Sequence, residues 1–145
     1  MQVVKGYRIR AGEDLFAAEL CFTDLNRADL SGANLCGANL FGSNLRDCRL
    51  DHADLRFAHL VDAQLDGTYL IEALLIGANL FSASLVGANL IKANLEAANL
   101  VGANLTAANL TEANLEEANF KWAHADTETI WPDGFDPEAA GVFII

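Results

Sequence analysis

The chain of 145 residues is poor in several things that common functions require. Only 9 residues are Lys or Arg against 20 Asp or Glu, a formal net charge of -11 at pH 7. Nucleic acid and anionic membrane surfaces both demand clustered positive charge, so neither is expected as a partner, whereas a basic partner is compatible. The three cysteines, Cys21, Cys36 and Cys48, are an odd number without a CxxC spacing. That argues against a disulfide framework or a zinc site and for a reducing, cytoplasmic setting. The start carries Lys5, Arg8 and Arg10 but no apolar run of signal-peptide length. One uncharged run, Ala73 to Ile91, has 19 residues, close to a bilayer span. Asn79, Ser82, Ser84 and Asn89 interrupt it, and its leucines keep the phase of the charged flanks, so no membrane segment is expected.

What is present is repetition. Leu, Ala and Asn number 22, 25 and 12, and 21 of the leucines stand at every fifth position from Leu15 to Leu115, with Phe120 in the next slot. Taking the central Leu as position i, residues 13–122 form 22 five-residue units with no insertion. Position i-2 is Ala in 17 units, the exceptions being Glu13, Thr23, Ser43, Cys48 and Thr68, and position i-1 is Asn or Asp in 15. The motif is A-(N/D)-L-x-x.

A period of five fits neither a helix nor a long strand. On a helix each step of five advances the Leu by about 140°, smearing the apolar residues around the cylinder. On a strand, residues five apart lie on opposite faces. A short extended piece does put i-2 and i on the same side, and a turn at i+1 and i+2 can return the next pair to the same interior. Repetition of that step makes a coil whose turns stack about 4.8 Å apart as parallel ladders. Burying one Leu contributes about 1.5–3 kcal/mol, while ordering five residues costs on the order of 5–10 kcal/mol. A single unit therefore cannot fold, and stability has to come from stacking between coils.

These residues resemble the pentapeptide-repeat proteins, whose motif is A(D/N)LXX. The resemblance covers residues 13–122 and implies an all-β fold, a right-handed quadrilateral parallel β-helix with four units per coil. On that count the rod has about five and a half coils and a length of about 26 Å. Residues 1–12, with Val3, Val4, Tyr7 and Ile9, are expected to form an N-terminal cap, and residues 123–145 a C-terminal cap over the open sheet edges. Within the latter, Asp136 to Gly141 is expected to make one short helical turn, with Asp136 as N-cap, Pro137 at the first position and Gly141 as the stop. The stretch Thr129 to Pro137 is similar to tails of cyanobacterial members. Its apolar end is either a cap or a dimer contact, as C-terminal segments are in some members of the family.

Four units per coil sorts the outward positions into faces. The face through Leu20, Leu40, Leu60, Leu80, Leu100 and Phe120 has few charges. Its i+1 column reads Cys21, Phe41, Val61, Phe81 and Val101, an apolar stripe and a candidate contact surface, with local ladder packing as the alternative. The adjacent face carries Glu13, Asp14, Asp54, Glu96, Glu116 and Glu117 against Arg56, which is -5 of the -9 in residues 13–122. Some family members are described as mimics of duplex DNA that bind type II topoisomerases. Here the acidic residues fall toward the two ends, and a rod of about 26 Å spans less than one turn of B-DNA.

No catalytic constellation emerges. His52, His59 and His124 fall at outward positions without an evident cleft, Cys48 takes an inward slot as a small hydrophobe, and Cys21 and Cys36 lack an activating histidine. Gly32, Gly37 and Gly42 lack the Lys-Ser or Lys-Thr of a phosphate loop. Sequons at Asn104 and Asn109 are by-products of the repeat. Between Arg49 and Leu75 the i-1 slots hold Arg49, His59, Gln64, Tyr69 and Leu74, which reads either as relaxed surface or as a recognition patch around Tyr69. The expectation is a non-enzymatic protein-binding or scaffold module, with no cofactor and no metal, whose partner is another protein or a second copy of itself. Its rival is a DNA-mimic regulator of a topoisomerase or another DNA-binding protein.

Overall fold

Every backbone amide in a coil of short turns needs an acceptor, and the coil stacked above or below is the nearest source. The computed structural model, which describes residues 1–145, answers that requirement unit by unit. In the unit Ala33-Asn34-Leu35-Cys36-Gly37, the Ala33 N–H donates across the preceding turn to Leu30 O at 3.0 Å. Asn34 N–H donates to Glu13 O in the coil below at 2.9 Å, while Leu35 and Gly37 donate upward to Asp54 O and Arg56 O at 2.7 and 2.9 Å. The fifth amide, Cys36 N–H, donates to the Asn34 side-chain oxygen of its own unit at 3.1 Å. All five are satisfied within five residues and two rungs.

The rungs join i-1 residues twenty positions apart, in parallel, as in Asp14↔Asn34↔Asp54↔Leu74↔Asn94↔Asn114. Twenty residues are four units, so each circuit of the chain has four short sides and four corners. At every corner the i+2 residue has a positive φ, between 52° and 68° from Ala17 to Trp122, as the third residue of a type II turn does. Only seven of these 22 corner residues are Gly. A left-handed non-Gly residue costs about 1–2 kcal/mol, a strain that the ladder above and below holds in place. Two glycines have a second reason. A Cβ on Gly42 would lie 2.7 Å from the Phe22 ring, and one on Gly77 the same distance from Phe57, so each ring occupies the space beside the glycine of the next coil.

The Leu and Ala side chains point inward. Each central Leu from Leu15 to Leu110 is no more than 1% exposed, and one cluster of 42 buried residues runs the length of the rod. The inward exceptions at i-2 follow from hydrogen bonding. Thr23 and Ser43 hydroxyls donate to Leu20 O and Leu40 O at 2.6 and 2.7 Å, Thr68 to Leu45 O at 2.9 Å, and the Cys48 thiol to Leu25 O at 2.7 Å. A small side chain that reaches a carbonyl is tolerated there, because no buried side-chain nitrogen or oxygen is left without a partner.

At the N-terminal end, β1 (Gln2–Val4) and β2 (Tyr7–Ile9) pair antiparallel through a turn at Lys5-Gly6. Ile9 is buried, and side chains from the hairpin meet the edge of the first coil. Lys5 Nζ donates to Cys21 O at 2.6 Å, Gln2 to Asp24 O at 3.3 Å, and Tyr7 Oη accepts from Glu19 N–H at 3.3 Å.

At the other end the ladder runs on past Trp122. β3 (His124–Ala125) continues the rungs, and Ile130 bridges Asn109 at a separation of 21, one residue longer than elsewhere. Thr129 occupies the inward i-2 place and donates to Leu105 O at 2.9 Å, as Thr68, three coils lower on the same side, does to Leu45 O. Trp131 and Phe135 stack at 5.0 Å between centroids and close on Phe120 at 5.6 and 5.4 Å, and β4 (Phe143–Ile144) pairs parallel with β3. The expected helical turn at Asp136 to Gly141 is not a helix. Asp136 Oδ1 does cap Ala139 N–H at 3.1 Å, but Ala140 N–H to Asp136 O at 3.2 Å is the single i→i-4 bond, and Gly141, at φ 87°, turns the chain out. One turn is nucleated and nothing propagates it.

Candidate interaction surface

With Leu and Ala inside, the surface consists of i-1, i+1 and i+2 columns. The stripe residues Cys21, Phe41, Val61, Phe81 and Val101 stack on successive rungs of one corner, so the fold brings them together. Four of them are half-buried by their neighbours, and Phe81 stands out at 44% exposed. Phe22 packs edge-on against Phe41 at 5.1 Å while staying 72% exposed. The i+1 column continues to Lys121, whose Nζ sits 4.4 Å from the ring centroid of Trp122 at i+2. Beside the stripe lies an open depression lined by Ala17, Glu19, Gly37, Asn39, Phe41, His59 and Val61.

Two exposed aromatics belong to this surface that the residue columns alone did not single out. Phe16 and Phe57 stand on the neighbouring corner, across the same side of the rod. For Phe57 the available signal was an aromatic at i+2 followed twenty residues later by Gly, the spacing Phe57 to Gly77 that Phe22 and Gly42 share; Phe16, at i+1 over Cys36, carries no such signal.

The six acidic residues do not form one patch. Glu13 pairs with Arg10. Asp14 Oδ1 accepts from Phe16 N–H and Asn34 Nδ2 at 3.2 and 2.9 Å. Asp54 is held by Arg56 at 2.7 and 2.9 Å, hydrogen bonds that keep its carboxyl below the usual carboxylate range. Leu74, 38% exposed, and Ile76 separate these from Glu96, Glu116 and Glu117 near the C-terminal end. Charge varies along the axis more than around it. Residues 1–32 carry four basic and five acidic residues, 33–111 four and seven, and 112–145 one and eight.

The i-1 departures wrap the rod. Arg49 and Tyr69 share one ladder, while His59, Gln64 and Leu74 lie on the other three sides. Each Asn or Asp at i-1, 15 in all, accepts the i+1 amide of its own unit, as Asn99 does from Val101 at 3.1 Å and Asn109 from Thr111 at 3.0 Å. Where Tyr69 and Ser84 replace them, an aspartate one coil below substitutes. Asp51 accepts from Ile71 N–H and Asp66 from Val86 N–H, both at 3.1 Å. Tyr69 is thereby free to project, 48% exposed.

The remaining polar residues do not converge. His52 Nδ1 lies 3.5 Å from Glu72, His124 packs at 5.8 Å on Phe143, and His59 sits in the depression beside Phe41. No three His, Cys, Asp or Glu side chains are placed to hold a metal ion, and no helix is long and apolar enough to cross a membrane. Burial pushes the Cys48 thiol up to about 12.

The chain is similar to several proteins of solved structure. No curated protein sequence matches it. Among solved structures it is similar to alr5209, a pentapeptide repeat protein from Nostoc PCC 7120, at 36% identity over 83% of this chain and 86% of that one, with a TM-score of 0.52. HetL, a pentapeptide repeat protein of Nostoc PCC 7120 involved in heterocyst differentiation regulation, is 37% identical over 86% of this chain and 64% of its own, TM-score 0.35. Rfr23 from Cyanothece 51142 is 34% identical over 83% and 88%, TM-score 0.31. The pentapeptide-repeats model matches eight copies over residues 14–50, 58–96 and 88–124. Those residues are the laddered, Leu-filled coils themselves, and the chain belongs to the pentapeptide-repeat family.

Proposed function

We propose that this chain is a non-enzymatic protein-binding or scaffold module, a right-handed rod of about five and a half coils. Residues 1–12 and 123–145 serve as its caps. The observation that supports the reading is the contiguous column of Cys21, Phe41, Val61, Phe81 and Val101, with Phe22, Phe81 and Trp122 exposed along it. The ladder holds the backbone of these corners in place, so only side-chain rotamers remain to be ordered on binding, and aromatic anchors of this kind dominate contact energies.

The test is affinity capture from native-host lysate at low and high salt, with the unmodified chain and a Phe41→Glu, Phe81→Glu double variant side by side. A partner retained at both salt concentrations by the former and lost by the latter is the expected result. Equal capture by both proteins overturns the assignment of the stripe. Inhibition of gyrase supercoiling that vanishes with salt would replace it with the DNA-mimic reading.

A further inference from the structure

The two ends of the rod are finished differently. At the C-terminal end, Trp122 N–H, Phe143 N–H and Ile145 N–H bond Gly141 O, Ala123 O and Ala125 O, and Leu110 N–H bonds Ile130 O. Between those stretches no coil lies above Ala113 to Phe120; Trp131 and Phe135 cover the Phe120 side chain but do not pair with the rung. The amides of Leu115, Glu117 and Phe120 and the carbonyls of Ala113 and Ala118, groups that pair across a rung in every lower coil, have no backbone partner. Leu115 is the one central leucine that is not fully buried. The tail passing beside it leaves an open depression lined by Ala113, Leu115, Glu116 and Phe135 among others. Glu112, Glu116 and Glu117 flank this edge.

The N-terminal hairpin has the complementary character. Lys5, Arg8 and Arg10 stand in residues 1–12 with no acidic residue among them. Arg10 pairs with Glu13 and Lys5 caps Cys21 O, while Arg8 is exposed and has no ion-pair partner. Val3 is exposed beside it. Each hairpin strand has three residues, the length of one flat side of a coil between corners, and each leaves one edge unpaired within the two-stranded sheet.

We infer that the open edge Ala113–Phe120 takes the N-terminal hairpin of a second copy of the chain, a head-to-tail contact. Charge selects this arrangement over a tail-to-tail one, since residues 112–145 hold eight acidic residues and one basic, and two such ends repel. A head-to-tail contact is heterologous and does not close on itself, so it extends beyond a dimer. Its size limits its strength. A flat side of three residues is about 10 Å long, and a section of that scale buries well below the roughly 800 Å² per partner of a stable complex. Association therefore requires high protein concentration and yields to salt.

The test is sedimentation velocity of the full chain over a concentration series. At about 20 mM salt the mean sedimentation coefficient is expected to climb through and past that of a dimer, and at about 0.5 M salt to return to the monomer value. Arg8→Glu alone, and Glu116→Lys with Glu117→Lys, should each lose the association with unchanged circular dichroism. An equimolar mixture of the two should regain association as far as a pair, because the intact edge of one meets the intact hairpin of the other. A chain that stays monomeric at low salt, a closed dimer that strengthens with salt, or a mixture that fails to associate overturns the inference.

Discussion

The exchange of the amide cap at Tyr69 offers a direct energetic test. Asp51 Oδ1 accepts from Ile71 N–H at 3.1 Å because Tyr69 cannot do so from within the unit. Replacing Asp51 by Ala leaves a half-buried amide without an acceptor. A side-chain cap of this kind contributes about 1 kcal/mol, and the ion pair of Asp51 with the exposed Arg49, long at 3.8 Å, adds little. For a chain of this size 1 kcal/mol lowers Tm by roughly 2–4 °C. Tyr69→Asn restores the acceptor that 15 other units carry at this position, so in that background Asp51→Ala should cost close to nothing. The measurable quantity is the coupling in a double-mutant cycle by urea denaturation, expected at about 1 kcal/mol, outside the usual additivity error of about 0.5 kcal/mol. The cycle also cancels whatever Tyr69 loses in packing. Additive effects would show that Asp51 is not a substitute cap, and the amide account of the i-1 position would fall with it.

Two further outcomes follow from the core and the tail. Leu60→Ala opens a hole between Leu40 and Leu80 that rungs of fixed spacing cannot collapse, so the loss should be in the upper part of the 2–5 kcal/mol range for such substitutions, whereas Leu115→Ala at the uncovered end should cost about half as much; equal losses in chemical denaturation would refute a closed centre and an open end. Asp126 has its pKa lowered by the Ala107 amide and then by Thr129 and Glu128. Its folded value lies below the unfolded one, so its contribution is present in full above about pH 4 and drains away as pH falls through the folded value. Asp126→Asn should therefore shrink the drop in Tm between pH 7 and pH 3, and an undiminished drop would exclude this carboxylate as a source of acid lability.

The coil itself was legible because its cause is periodic. Leu at every fifth position and Ala two before it leave one geometry that buries both, and the turn at i+1 and i+2 follows from it. The reason for Asn was not legible in the same way. Placing Asn34 or Asn99 outside the core is correct as to side, yet their oxygens reach back to a backbone amide, and hydropathy carries no trace of that bond. The substitutes Asp51 and Asp66 are further from view still, since they act from a coil away. The end of the repeat was hidden by a single extra residue before Thr129, which breaks the count of five while the rungs continue to Ile130. At Asp136, capping signals marked a turn correctly but could not tell one hydrogen-bonded turn from a helix, because the distinction lies in whether a second bond forms.

The spacing of the rungs separates two kinds of change in chain length. The interior recognises a period of five, since any whole unit supplies one Leu and one Ala to it. The exterior recognises a period of twenty, the distance at which Phe41, Val61 and Phe81 come to lie over one another. Deleting five residues between Phe41 and Phe81 would leave a filled core and carry the later part of the stripe one corner around the rod, breaking it. Deleting twenty would shorten the rod and leave the stripe straight. A lineage of such rods can thus lose or gain single units without unfolding and still lose its partner at one stroke, while whole-coil changes alter reach and spare recognition.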